Sequence, residues 1–109
     1  MFDDDDEPTV RQMTPEEFAG LDYGTVTLLD LREPHEVEAH AMPGAINVPF
    51  DPLPHVLRNV PKDRPVVVYC REGSWSAEVA EILADRGYDA VNLVGGFDAY
   101  ERYIAEHEG

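Results

Sequence analysis

The 109-residue chain is long enough for one compact domain with a core of its own, and its single cysteine excludes an internal disulfide and any cysteine-rich zinc site. Asp and Glu outnumber Lys and Arg 23 to 8, a formal charge of -15, and a field that negative repels phosphate backbones, which excludes nucleic acid as a partner. Seven of the eight basic residues are arginines and only Lys62 is lysine, so acidic side chains cover most of the surface. Such a surface suits solvation in molar salt, as in proteins of salt-loving organisms, or the docking of a basic partner.

Residues 1–8, with four consecutive aspartates, read as a disordered acidic tail ahead of a single domain over 9–109. The start lacks the basic flank and apolar run of a signal peptide, and no stretch is long enough to cross a bilayer. A cytoplasmic location follows as the expectation. In "TPEEF", Thr14 is placed to cap a short helix, with Pro15 in its first turn and Glu17 closing a capping box. "TVTLLDL", Thr25 to Leu31, has no polar alternation and reads as a strand covered on both faces.

A short helix is expected from Pro34 and a strand in "GAINVP"; "DPLPHVLRNV" suits a helix only in its C-terminal part, because Pro52 and Pro54 restrict its start. "PVVVYC" is the clearest strand. From Ser76, the recurrence of Val79, Ile82 and Leu83, with Glu78, Glu81 and Asp85 opposite, marks an amphipathic helix ended by Gly87. "AVNLV" is the last strand, and Phe97, Tyr100 and Ile104 mark the last helix. Strands alternating with helices imply an α/β fold: a mostly parallel sheet with helices on both faces, whose ligands bind beyond the carboxyl ends of the strands.

Cys70 stands at one of those ends, before "REGSWS". If this loop curls around the sulfur, with Gly73 taking a backbone conformation closed to other residues, successive amides point inward and the following helix adds partial positive charge. Both features, with Arg71 adjacent, favour thiolate over thiol. A buried cysteine acting as a small hydrophobe is the competing reading. Trp75 is placed either to cap the core or to line the mouth of the site. The four histidines, His35, His40, His55 and His107, show no helix-face pair at four-residue spacing, so no metal is expected.

Three segments together resemble the rhodanese family of sulfurtransferase domains, from Thr9 to about Glu106. They are "LLDLREPHEVEAHAMPGAINVPF", "VVVYCREGSWSA" and "VNLVGGFDAY". The resemblance implies a rhodanese-like, mostly parallel sheet of five strands and a cofactor-free transfer of sulfane sulfur from a small anionic donor such as thiosulfate. The acceptor would be an external thiol, cyanide or a protein, since no second cysteine resolves a persulfide internally. It makes Cys70 the nucleophile and persulfide carrier, with the amides of Arg71, Glu72, Gly73, Ser74, Trp75 and Ser76 cradling the outer sulfur.

It also places Arg71 to attract the donor and maps a further arginine to Arg32, counted with the substrate-side residues but read chiefly as a structural partner of Glu36 one helical turn on, as Asp30 is read chiefly as fixing the neighbouring loop. Action as a monomer is the expectation. Two departures stand out: His40 and Ala41 precede "MPG" where the family commonly has Gly-His, and the bulky Trp75 stands late in the loop where arginine or a small polar residue is common. A phosphatase or arsenate reductase would need arginine six positions after the cysteine, where Ser76 stands. A sulfur-relay or non-catalytic interaction module, acting through a docked partner, is the alternative outside small-molecule catalysis.

Overall fold

The computed structural model describes residues 10–48 and 60–108. In chain order these form β1 (Arg11–Met13), α1 (Pro15–Ala19), a 3-10 turn (Tyr23–Thr25), β2 (Thr27–Asp30), α2 (Pro34–Ala39), β3 (Ile46–Asn47), β4 (Val66–Tyr69), α3 (Ser74–Asp85), β5 (Ala90–Leu93) and α4 (Gly96–Glu108). The five strands make one sheet in the order β1-β5-β4-β2-β3, and every pairing is parallel. β4 therefore lies at the centre, flanked by β5 and β2, and the connection from β4 runs to β5 on one side while that from β2 runs to β3 on the other. The carboxyl end of β4, between the two, is the position at which an open parallel sheet binds ligands. The tail over 1–8, the helix expected near Pro54 and the strand end at Pro49 lie outside the described residues.

Strand side chains alternate between two cores, as a period of two requires. Val66, Val68 and Cys70 join Leu29, Leu31 and Ala90 against Val79, Ala80 and Leu83 of α3. Val67, Tyr69, Leu28, Val91 and Leu93 face the opposite side, against Phe18 of α1 and Phe97 and Tyr100 of α4. All four residues of β4 are buried, which is why its sequence shows an unbroken apolar run. Among the described residues no helix is long and apolar enough to cross a membrane.

Several local signals act as the sequence implies. The Thr14 hydroxyl accepts from the Glu17 amide at 3.1 Å and the Glu17 carboxylate accepts from the Thr14 amide at 2.8 Å, the complete capping box. α3 stops at Asp85, with Gly87 at φ 91 behind it. Other expectations need correction. Residues Tyr23 to Thr25 form a 3-10 turn capped by Asp22, so the strand expected from Thr25 starts at Thr27. Ile82 is 37% exposed, and the α3 face it was expected to share is filled instead by Ala80 and Ala84, because the helix lies close to the sheet.

β1 has no counterpart in the apolar pattern, since two of its three residues are exposed. It is an edge strand fixed by register, with Gln12 opposite Asn92 and Met13 opposite Leu93, and by the Arg11–Asp89 ion pair at 2.8 Å. Thr14→Ala is expected to cost about 1 kcal/mol, the usual value of an N-cap. Urea unfolding of the variant checks it, and an unchanged midpoint would remove the capping box from the determinants of stability.

Candidate active site

Cys70 is the residue after β4, and its sulfur turns back toward the start of α3. Gly73 precedes the helix at φ 97, in the left-handed region, and offers no side-chain cap. The sulfur takes that place: Sγ accepts hydrogen bonds from the amide of Gly73 at 3.0 Å and from that of Ser76 at 3.4 Å. Ser76 is the third residue of α3, the position whose amide an N-cap side chain ordinarily satisfies. A negative sulfur here meets two converging amides and the positive end of a helix dipole. α3 begins at Ser74 rather than Ser76, because the loop reaches its turn at Gly73.

The carbonyl side of the loop is fixed as firmly as the amide side. The Phe97 amide donates to the Cys70 carbonyl at 2.8 Å and the Asp98 amide to the Arg71 carbonyl at 3.0 Å. Two first-turn donors of α4, which have no partner inside their own helix, thereby hold two loop carbonyls away from the sulfur. This contact depends on Gly96, at φ 70: a Cβ there would lie 2.5 Å from the Arg71 carbonyl oxygen and 2.7 Å from that of Cys70. No residue-level reading of the sequence assigned Gly96 a role. The adjacent glycines after an apolar strand were the available signal, and what they approach is set by the fold.

Cys70 is 7% exposed. Burial pushes its thiol up, but the Ser76 hydroxyl and the amides of Ser76, Gly73 and Glu72 together outweigh that effect and hold its pKa below the ordinary cysteine value. The Ser76 hydroxyl, fully buried, lies 3.5 Å from Sγ and also contacts the Gly73 carbonyl at 3.2 Å and Asn92 Oδ1 at 2.7 Å. Of the loop residues singled out from the sequence, Gly73, Ser76 and, through its amide, Glu72 converge on the sulfur. Trp75 is 48% exposed and caps no core. Ser74 is exposed as well.

Arg71 is 59% exposed and is engaged by Glu36 at 3.3 Å, Glu72 at 3.6 Å and Asp98 at 3.9 Å. The pairing expected between Arg32 and the Glu36 carboxylate does not occur. Arg32 is buried and makes a forked contact with the Asp30 carboxylate, at 2.8 Å for Nη2 and 3.1 Å for Nε. It also donates to the carbonyls of His40 at 2.6 Å and Glu36 at 3.4 Å, and lies 3.9 Å over the Phe97 ring. The carboxylate of Asp30 lies two residues away on the same strand end and is fully buried, so it outcompetes the half-buried Glu36 of the helix. Arg32 thus joins β2, the end of α2 and the start of α4, and lines the cleft beside Arg71 with most of its donors already engaged. His40 pairs with Glu101 at 2.8 Å. Among the described residues no cluster of three or more His, Cys, Asp or Glu is placed to hold a metal.

Ser76→Ala removes the hydroxyl but keeps the amide, and a hydrogen bond to a charged group is worth about 1.5–3 kcal/mol. The midpoint of Cys70 alkylation against pH is therefore expected to rise by about one to two pH units, as 1.36 kcal/mol corresponds to one. A midpoint that stays in place would remove the hydroxyl from the stabilisation of the thiolate. Asp30→Ala leaves the Arg32 guanidinium buried without its counter-charge and is expected to cost about 3–5 kcal/mol in chemical denaturation. A loss below about 1 kcal/mol, the level of a surface pair, would show that the clamp is not structural.

The comparison with known proteins agrees with this geometry. The family model described as Rhodanese-like domain matches residues 14–103. A sulfurtransferase of Allochromatium vinosum is 39% identical over 83 residues, covering 75% of this chain and 78% of the relative. Among solved structures, a rhodanese-related protein from Thermoplasma volcanium superposes with a TM-score of 0.76 at 26% identity, over 85% of this chain and 92% of that one. A rhodanese-like domain protein from Staphylococcus aureus gives 0.73 at 32% identity, over 83% and 90%. With a family model spanning most of its length and an all-parallel five-stranded sheet of the same architecture, the chain belongs to the rhodanese-like domain family.

Proposed function

We propose that the chain is a sulfurtransferase that moves a sulfane sulfur through a persulfide on Cys70. The observation that carries the reading is a sulfur seated as the cap of α3, with amides of Gly73 and Ser76 on it and its thiol held below the ordinary pKa. With thiosulfate as donor, the Cys70 thiolate attacks the outer sulfur. The donor's S–S bond breaks, sulfite leaves with its electron pair, and Cys70 carries a negatively charged outer sulfur. An external thiol, cyanide or a partner protein then attacks that outer sulfur, and Cys70 departs as the thiolate. Activation is electrostatic, by amides and a helix end, with no neighbouring base required.

The amides from Arg71 through Ser76 are suited to cradle the outer sulfur and the donor's oxyanion. Arg71 offsets part of the surrounding negative charge and steers an anionic donor inward. The arrangement around Arg71 also favours a second reading, a relay served by a docked protein. A cleft of about 220 Å3 beside it is lined by Glu36, Asp98 and Glu101 against Arg71 and Arg32, and the charge of Arg32 is already met by Asp30, so a small dianion finds little net positive charge there. Turnover with thiosulfate and cyanide alone, compared with turnover in the presence of a candidate protein partner, separates the two.

Treatment of the purified protein in molar salt with thiosulfate is expected to raise its intact mass by one sulfur atom, and cyanide to remove that sulfur as thiocyanate. Cys70→Ser is expected to fold and to show neither change; a Ser variant that still transfers sulfur would remove Cys70 from the mechanism. Arg71→Ala leaves Glu36, Glu72 and Asp98 uncompensated, so kcat/KM for thiosulfate is expected to fall most at low ionic strength, where screening is least. Equal activity of variant and wild type across salt would show that Arg71 does not steer.

A further inference from the structure

The Ser76 hydroxyl has one proton and three claimants. Asn92 Oδ1 lies at 2.7 Å, the Gly73 carbonyl at 3.2 Å and Cys70 Sγ at 3.5 Å. An amide carbonyl only accepts, so the short contact to Asn92 is a hydrogen bond donated by Ser76, and the hydroxyl then turns its lone pairs toward the sulfur. That orientation accepts a bond from the thiol S–H, and the hydroxyl reaches a thiolate only by giving up part of its bond to Asn92. Asn92 is itself held: its Nδ2 donates to Gln12 Oε1 at 3.1 Å, across the β5–β1 pairing in which the two residues lie opposite. Asn92 is the buried polar residue of an otherwise apolar β5, and Gln12 is exposed on the edge strand.

We propose that Asn92 is a positioning residue for Cys70, acting through Ser76: its carbonyl draws the hydroxyl proton away from the sulfur and so limits how far the thiolate is stabilised. The inference rests on Cys70 being the reactive sulfur of the function proposed above. The physical use of such a restraint lies in the nucleophilicity of thiolates, which declines as their pKa declines, so that the best attacking thiol has a pKa near ambient pH. Two amides and a helix end already favour the anion, and full donation from Ser76 would lower the pKa further. Among the described residues, the charged and titratable groups at this end of the sheet include the Asp30–Arg32 pair at the end of β2, the His40–Glu101 pair, His35 of α2, and Arg71 with Glu72 of the loop, Glu36 of α2 and Asp98 of α4. Arg71 draws the last three carboxylates to itself, while α3 and β5 present the uncharged Ser76 and Asn92.

The test is the pH profile of Cys70 alkylation by iodoacetamide, followed by intact mass. Asn92→Leu, nearly isosteric and without an acceptor, is expected to lower the midpoint by about one pH unit, and to have no effect when Ser76 is already alanine. An unchanged or raised midpoint, or a shift that persists in the Ser76→Ala background, would overturn the proposal, since a merely structural role for Asn92 does not act through the hydroxyl. Should Asn92→Leu fail to fold, Gln12→Ala decides. It frees the Asn92 amide to turn its NH2 toward Ser76 and is expected to lower the midpoint by a smaller amount; no shift there is the overturning result. Alkylation reads Cys70 acidity whether or not the protein transfers sulfur. Failure to gain a sulfur from thiosulfate with the predicted midpoints intact therefore counts against the function alone.

Discussion

The amides of a loop can face a sulfur only if its carbonyls face elsewhere and find partners there. In this protein the carbonyls of Cys70 and Arg71 accept from the Phe97 and Asp98 amides, at 2.8 and 3.0 Å, so the first turn of α4 holds the loop from behind. Both sides gain, because first-turn amides of a helix and carbonyls of a tight loop would each be left without partners. Gly96 sets the approach distance and Arg32, buried against Asp30 and over Phe97, sets the position of the helix start. The geometry around Cys70 is therefore a property of the packing between α4 and the sheet as much as of the loop's own residues.

Within that frame the sulfur does the work of a helix cap. A glycine at the cap position provides the left-handed turn but no acceptor, and the Ser76 amide of α3 is satisfied by Sγ instead. Stability and reactivity are thus coupled: the interaction that completes the helix end is the one that favours an anionic sulfur. Burial opposes it, and the balance falls on the side of the hydrogen bonds. The Ser76 hydroxyl, divided between sulfur and Asn92, is the adjustable part of that balance.

The charge of the chain works against a small anionic donor of the kind proposed above. Arg71 stands next in sequence to Cys70, yet it is engaged by Glu36, Glu72 and Asp98. Its positive charge is a local correction to a field set by 23 acidic residues. Molar salt would reduce that field to the scale of a few ångströms and leave the buried amide contacts nearly intact. An acidic surface and a thiolate site are compatible for this reason, since one acts through solvent and the other does not.

Features whose cause is local were legible in the chain of letters. The capping box at Thr14, the apolar runs of β2, β4 and β5, the amphipathic face of α3, the left-handed glycine at Gly73 and the cysteine at a strand end each depend on residues within one or two turns of one another. The resemblance of three ordered segments carried this local information to the family. What joins distant segments was not legible. β1 has no apolar pattern and exists through its pairing with β5; Arg32 had a plausible partner in Glu36 and took the buried Asp30; Gly96 and Asn92 act on a loop some twenty residues earlier. Local propensity specifies how a segment folds, but the choice among competing partners for a guanidinium, a carbonyl or a hydroxyl proton is made by which groups the tertiary structure brings together out of water.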